Sequence, residues 1–160
     1  MKNGRLRHLP FHQRRFNAAR RALWGLPETD LPARIALPEG LGPGLYKCRV
    51  LYGPEVESVA FEPYAPRPVR SLRLVEGGSI DYRFKYADRR VLQALFGQRA
   101  GCDDVLIVQE GRLTDTSYSN IALYDGIRWV TPARPLLAGT ARARLLEAGA
   151  LEEREVAVTE

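Results

Sequence analysis

The spacing of hydrophobic residues predicts a helix followed by a hairpin in the first part of the chain. Apolar side chains recur at helical spacing over residues 12–24, and Gly25 supplies a stop signal. Apolar and polar positions then alternate over residues 46–52, as in a half-buried strand. A Gly-Pro turn follows, so we predict residues 55–61 as the antiparallel return strand.

The middle of the chain changes from a proline-rich stretch to strongly apolar segments. Residues 63–68 contain three prolines and are predicted to form a linker. Residues 71–75 fit a short strand, and an apolar helical face ends at Gly97. The nearly pure apolar run at residues 105–108 predicts a buried strand.

The last part of the chain predicts a second hairpin, a helix and a final strand. An Asp-Gly turn joins residues 121–124 to residues 127–130. A helix is expected to start near Thr140, whose hydroxyl can cap it, and to end at Gly149. Residues 156–158 are predicted as the final strand.

These elements predict an α+β protein with two lobes and a cleft between them. Residues 1–64 would form a small N-terminal α/β lobe, and residues 65–160 a larger β-rich C-terminal lobe with helices. A chain of 160 residues with 45% hydrophobic side chains is long and apolar enough to bury a sizeable core.

Composition argues against several classes of partner. The formal net charge is +5, but the basic residues are spread among 19 acidic ones, so no nucleic-acid partner is expected. Neither a bilayer-spanning apolar run nor a signal peptide is apparent, which predicts a cytoplasmic protein without a membrane partner. Two cysteines without metal-ligand spacing and only two histidines predict no metal site.

Lysine is rare in this chain and therefore chemically interesting. Of the 24 basic residues only Lys2, Lys47 and Lys85 are lysine, and the other 21 are arginine. Arginine stays protonated, whereas lysine can lose its proton and form a Schiff base with a carbonyl. Taken alone, Lys2 is best explained as a solvated cation, and Lys47 is equally compatible with a surface or a functional position. Lys85 is distinguished by the motifs that follow it.

Three segments in a fixed order carry a resemblance to a known family. They are F-K-Y-A-D-R around Lys85, L-T-D-T-S-Y-S-N at residues 113–120, and L-L-A-G-T-A-R at residues 136–142. An upstream H-x-x-R-F ends at Phe16, and a hairpin ending in Thr-Pro lies between the second and third segments. This ordered set resembles the class IV aminotransferases, which are pyridoxal-phosphate enzymes of fold type IV. Asp115, however, stands where the family usually has glutamate.

The resemblance implies pyridoxal 5'-phosphate as cofactor and a role for each matched residue. Lys85 would be the catalytic residue, forming the Schiff base and moving the substrate's α-proton. Asp115 would keep the ring nitrogen protonated, and the start of the last helix with Arg15 would bind the phosphate. The implied cofactor-binding residues are Arg15, Lys85, Asp115, Ser117, Thr140 and Ala141.

Without the resemblance, the same residues have simpler explanations. Arg15 would be a surface arginine on the polar face of its helix. Asp115 would cap a turn, and Asn120 would satisfy the polar groups of a tight backbone. These simpler explanations stay open at the level of sequence, and for Asn120 the backbone role is the preferred one.

The favoured function is transfer of an amino group between an amino acid and a 2-oxo acid, in a homodimer as the resemblance implies. One alternative is aminodeoxychorismate lyase activity, which forms 4-aminobenzoate and pyruvate; another is a non-catalytic protein that kept the fold. The lysine followed four residues later by Arg89 also resembles the lyase branch. Arg67, Arg70 and Arg89 are equal candidates for binding the substrate carboxylate.

Overall fold

The structure is a computed structural model that describes residues 1–159. The chain divides into two compact units, Met1–Arg67 and Pro68–Glu160, with the boundary inside the proline-rich stretch predicted as a linker. Both units contain helix and strand, so the predicted α+β class is confirmed. Among the described residues, no helix is both long enough and apolar enough to cross a membrane.

The N-terminal unit consists of one helix, one short 3-10 turn and one hairpin. Its elements are α1 (Leu9–Trp24), the turn Pro32–Arg34, β1 (Tyr46–Tyr52) and β2 (Val56–Pro63). The strands are antiparallel, with Tyr46 opposite Pro63. Helix α1 begins three residues before its predicted start, because Pro10 fits a first turn in which the missing N–H group would have no helical acceptor.

An aromatic contact packs α1 against the hairpin. Phe16 and Ala19 of α1 are buried, and the Phe16 ring meets the Tyr52 ring edge-on with 4.6 Å between centroids. Arg20 is buried beside them, and its guanidinium donates to the carbonyls of Pro27 at 2.8 Å and Pro54 at 3.2 Å. These bonds compensate for burying a charged side chain in a small core.

The first sheet of the C-terminal unit is built around a buried central strand. It contains β3 (Leu72–Glu76), β4 (Asp104–Gln109) and β5 (Arg112–Thr116), and α2 (Arg90–Gly97) connects the parallel pair β3 and β4. β4 and β5 are antiparallel and joined by Glu110 and Gly111, both with positive φ. The apolar sequence of β4 agrees with its position as the central strand of the sheet.

The second sheet carries the remaining elements and corrects the predicted end of the fold. It contains β6 (Leu123–Tyr124), β7 (Trp129–Pro132) and β8 (Glu152–Arg154), and α3 (Thr140–Glu147) connects the parallel pair β7 and β8. The segment predicted as the final strand, residues 156–158, forms only a single antiparallel bridge, between Ala157 and Arg112 of β5, so the last strand of the fold is β8. Every side chain of β8 is exposed, so its sequence shows no apolar alternation.

The predicted cap of α3 was wrong. The capping residue is Gly139, and no side chain makes a capping hydrogen bond. Thr140 is the first residue inside the helix, one position beyond the place from which a hydroxyl accepts first-turn amide protons. The amides at the start of α3 therefore lack a side-chain cap.

The core of the C-terminal unit lies between α2 and the inner face of β3 and β4. Its buried members are Val75, Tyr82, Leu92, Leu95, Val105, Ile107 and Leu136. Val105 and Ile107 alternate with the residues on the other face of β4, and both are 0% exposed. This core supports the two loops that carry Lys85 and Leu137.

Replacing Ile107 with alanine is expected to lower the free energy of unfolding by about 2–5 kcal/mol, because the substitution leaves a cavity in a closed core. Urea denaturation measures this loss. Ile127 is a matched control of the same residue type, since it is 80% exposed and its replacement should change stability by less than about 0.5 kcal/mol. Equal losses at the two positions would contradict the described core.

Candidate active site

Asp115 lies near the end of β5 and is held by two neutral donors. The residue is 5% exposed and belongs to a strand whose last three residues are all buried. The side-chain amide of Asn120 donates to Oδ1 at 2.7 Å, and the backbone N–H of Leu137 donates to Oδ2 at 3.0 Å. Each oxygen thus has a partner, and the plane of the carboxylate is fixed.

Burial raises the pKa of Asp115 to about 6. Desolvation of the charged form is the largest cause, and the donors on Asn120 and Leu137 together with the more distant charge of Arg142 oppose it. The carboxylate is therefore mostly ionised at pH 7 but in an environment that favours an adjacent positive charge. A protonated ring nitrogen would provide that charge, so Asp115 fits the role predicted from the sequence.

The loop before α3 connects this carboxylate to a helix N-terminus. Asn120 donates a second hydrogen bond, to the carbonyl of Leu137 at 2.7 Å, and Thr140 starts α3 three residues later. The first turn of α3 contains no acidic side chain. Backbone N–H groups at a helix start attract anions, so a phosphate is compatible with the position of Thr140 and Ala141.

Lys85 lies in an irregular segment and has an unusual backbone conformation. Its side chain is exposed, and its φ of 55° places it in the left-handed region, which side-chain-bearing residues seldom adopt. Its backbone N–H donates to the carbonyl of Tyr82 at 3.2 Å. Tyr82 itself is buried in the core and its hydroxyl donates to the carbonyl of Tyr86 at 3.0 Å, so the segment around Lys85 is anchored on both sides. Strain of this kind is common at functional positions.

Arg89 joins the segment of Lys85 to the segment of Asp115. Its guanidinium donates to the carbonyl of Ser117 at 2.7 Å and lies 5.4 Å from the centre of the Tyr118 ring. Ser117 is buried, and its backbone N–H donates to Asp104 at 3.4 Å. The structure therefore brings Lys85's segment, Ser117 and Asp115's strand into one connected region.

Arg15 belongs to the other unit. It is half-buried in α1, where its positive charge acts on Tyr52. Burial raises the pKa of the Tyr52 phenol, and the charge of Arg15 partly offsets that rise. Its predicted contact with a phosphate stays a prediction.

Most of the residues that hold the site together could not be identified from the sequence. Gly139 and the backbone of Leu137 have no chemical signature, and Asp104 differs from a turn residue only in preceding an apolar run. Arg89 was predicted as a candidate for binding the substrate carboxylate and as a feature of the lyase branch, but its hydrogen bond to the carbonyl of Ser117 was not predicted. Asn120 does bond backbone as expected, and it also bonds the Asp115 carboxylate. Such contacts depend on the tertiary fold.

Comparison with known proteins identifies the family. The family described as amino-transferase class IV matches residues 55–160. An uncharacterized protein of Haemophilus influenzae is 33% identical over 159 residues, which cover 98% of this chain and 85% of the relative.

Solved structures agree with this assignment. A candidate 4-amino-4-deoxychorismate lyase from Haemophilus somnus has a TM-score of 0.87 and 30% identity, covering 99% of this chain and 84% of its own. A fold IV transaminase from Curtobacterium pusillum has a TM-score of 0.71 and 19% identity, covering 99% of this chain and 66% of its own, and shows similarity of fold alone. The resemblance predicted from the motifs is thus confirmed, and the chain belongs to the class IV aminotransferase family, whose fold type IV members are pyridoxal-phosphate-dependent enzymes.

Proposed function

We propose that this chain binds pyridoxal 5'-phosphate and acts on the amino group of an amino-acid-like substrate. The observation that carries the proposal is the buried Asp115 carboxylate, which is ionised near pH 7, next to the loop that starts α3. Membership of the family supports the same conclusion. The bound cofactor would supply an electron sink for carbanion chemistry at the substrate's α-carbon.

The chain's own residues would divide the remaining work among them. Lys85 would hold the cofactor's aldehyde carbon through Nζ, with loss of water. Once the substrate's amino group has displaced it from that carbon, the free amine of Lys85 would take the proton from the substrate's α-carbon. Asp115 would hold a proton on the ring nitrogen by electrostatic attraction. Amides at Thr140 and Ala141, with Arg15, would bind the phosphate, and buried Ser117 would support that region.

Transamination is the first candidate reaction, because the family that matches two thirds of the chain is described as amino-transferase class IV. A transaminase needs a 2-oxo acid to accept the amino group. Incubating the cofactor-loaded protein with single amino acids should therefore give sustained turnover only when a 2-oxo acid is present. A coupled assay of 2-oxo acid product, with and without acceptor, measures this dependence.

Lyase activity is the second candidate and has its own support. The Haemophilus somnus protein, with 30% identity over nearly the whole chain, is described as a candidate 4-amino-4-deoxychorismate lyase. Such a reaction releases pyruvate and 4-aminobenzoate without an acceptor. Formation of 4-aminobenzoate at an unchanged rate in the absence of any 2-oxo acid would favour the lyase and contradict transamination. Failure of the wild-type protein to develop cofactor absorbance would contradict both.

A further inference from the structure

Asn120 lies between the Asp115 carboxylate and the loop that enters α3. One side-chain amide nitrogen donates to Asp115 Oδ1 and to the carbonyl of Leu137, each at 2.7 Å. Leu137 closes the network by donating its own N–H to Asp115 Oδ2 at 3.0 Å. Three hydrogen bonds therefore join Asp115, Asn120 and Leu137 in pairs and hold the carboxylate to the loop. Removing the Asn120 amide would break two of the three.

Gly139 packs against the other side of the Asn120 amide. A Cβ atom added at residue 139 would overlap Asn120 Oδ1 and stand 3.2 Å from its Cγ. The φ of −69° and ψ of 146° at Gly139 are open to any residue, so glycine is required for space and not for backbone freedom. Asn120 can give way only by losing its two hydrogen bonds, because both fix the orientation of the same amide group.

This network matters for pyridoxal 5'-phosphate because the two ends of that cofactor are rigidly connected. A pyridine ring nitrogen and a phosphate group occupy fixed positions on the cofactor, so their protein partners must also keep a fixed separation. Asp115 would contact the nitrogen and the start of α3 the phosphate. Asn120 bonds the first directly and is packed against the capping residue of the second.

We propose that Asn120 and Gly139 act as a positioning pair that keeps the Asp115 carboxylate in register with the N-terminus of α3. This inference rests on the proposed function, because it assigns the pair a role in binding pyridoxal 5'-phosphate. Neither residue is a catalytic residue. The pair acts through Asp115 and the helix start, and it predetermines the geometry that the cofactor needs.

A double-mutant cycle tests the pair. Gly139→Ala and Asn120→Ala should each weaken pyridoxal 5'-phosphate binding by about 10- to 100-fold, as expected when a buried charged group loses a donor. Truncation at residue 120 removes the atoms that the new methyl group meets, since no other atom of Asn120 lies nearer than 3.8 Å. The double variant should therefore bind no more weakly than Asn120→Ala alone. Absorbance titration of the cofactor-free variants measures all four affinities.

A second readout separates positioning from a general loss of structure. Asn120→Ala should raise the pKa of Asp115 further, measured by carbon-13 NMR of the cofactor-free protein, because the Asn120 donor lowers it. Arg142 of α3 is the charged group that acts on Asp115, and it is unchanged in these variants. Gly97→Ala is the control, since the added Cβ at residue 97 meets no atom within 4 Å. It should change neither affinity nor titration.

The experiments distinguish a failure of the proposed function from a failure of the positioning inference. If the wild-type protein takes up no pyridoxal 5'-phosphate, the proposed function fails and this inference fails with it. If the wild-type protein binds normally but the losses from Gly139→Ala and Asn120→Ala simply add, the inference alone is overturned. An unchanged titration of Asp115 in Asn120→Ala would also overturn it.

Discussion

Replacement of Lys85 with alanine is expected to abolish covalent retention of pyridoxal 5'-phosphate. The chain would lose the one exposed amine that has both a strained backbone and anchored neighbours. Turnover should fall by about 10²–10⁴-fold, the usual contribution of a positioned proton-transfer group, or further if the covalent bond is also needed. Borohydride reduction followed by peptide mass mapping should place the cofactor on Lys85 in the wild type and nowhere in the variant.

The scarcity of lysine makes this experiment unusually clean. Only two other lysines can be labelled, and Lys47 forms an ion pair with Glu62 at 3.5 Å across the first hairpin. Lys2→Ala and Lys47→Ala should therefore keep both trapping and turnover. Lys85→Arg conserves the charge but cannot form the bond, so it should behave like the alanine variant. Labelling at residue 47 in the wild type would contradict the assignment.

Local sequence patterns predicted elements whose stability depends on their own apolar faces. β4 was predicted from its run of apolar residues, which are buried in the structure, and α2 from its apolar face, which packs on β4. β8 was not predicted, because its side chains are charged and exposed and show no apolar pattern. It is held instead by backbone pairing with β7 and by ion pairs such as Arg128 with Glu152 at 2.6 Å. A strand of this kind can be recognised only when its partner strand is known.

The residues of the candidate site also fall into those that the sequence could predict and those that depend on tertiary contacts. Lys85 and Asp115 have side chains with their own chemistry, so the sequence motifs could single them out as candidates. Gly139 matters only because Asn120 lies against it, a contact between residues 19 positions apart. The assembly as a homodimer and the cytoplasmic location remain predictions, because a single chain shows neither contacts between copies nor a compartment.

Asp115→Asn is expected to lower kcat/KM by about 10²-fold or more, because a neutral amide no longer keeps the cofactor's ring nitrogen protonated. Asp115→Glu restores a carboxylate and should recover most of the loss, which separates charge from packing. Steady-state kinetics on the cofactor-loaded proteins measures both. Equal activity in Asp115→Asn and wild type would show that the carboxylate does not serve the reaction.

The same substitution should change how stability depends on pH in the cofactor-free protein. The pKa of Asp115 is about 6 when folded and about 3.9 when unfolded, so the folded state binds the proton more tightly between those values. The contribution of Asp115 to the stability of the wild type therefore falls as pH rises through this window, by about 3 kcal/mol in all. Asp115→Asn lacks this contribution, and shared groups cancel in the difference between the two proteins.

Denaturation at several pH values tests that sign directly. The free energy of unfolding of wild type minus that of Asp115→Asn should decrease from pH 4 to pH 6 and become constant above pH 7. Asp125 is a control of opposite sign, because the backbone N–H groups of Arg128 and Ile127 lower its pKa. The corresponding difference for Asp125→Asn should increase with pH in the acid range. A difference for Asp115 that is flat or rises with pH would mean that its carboxylate is not desolvated as the structure describes.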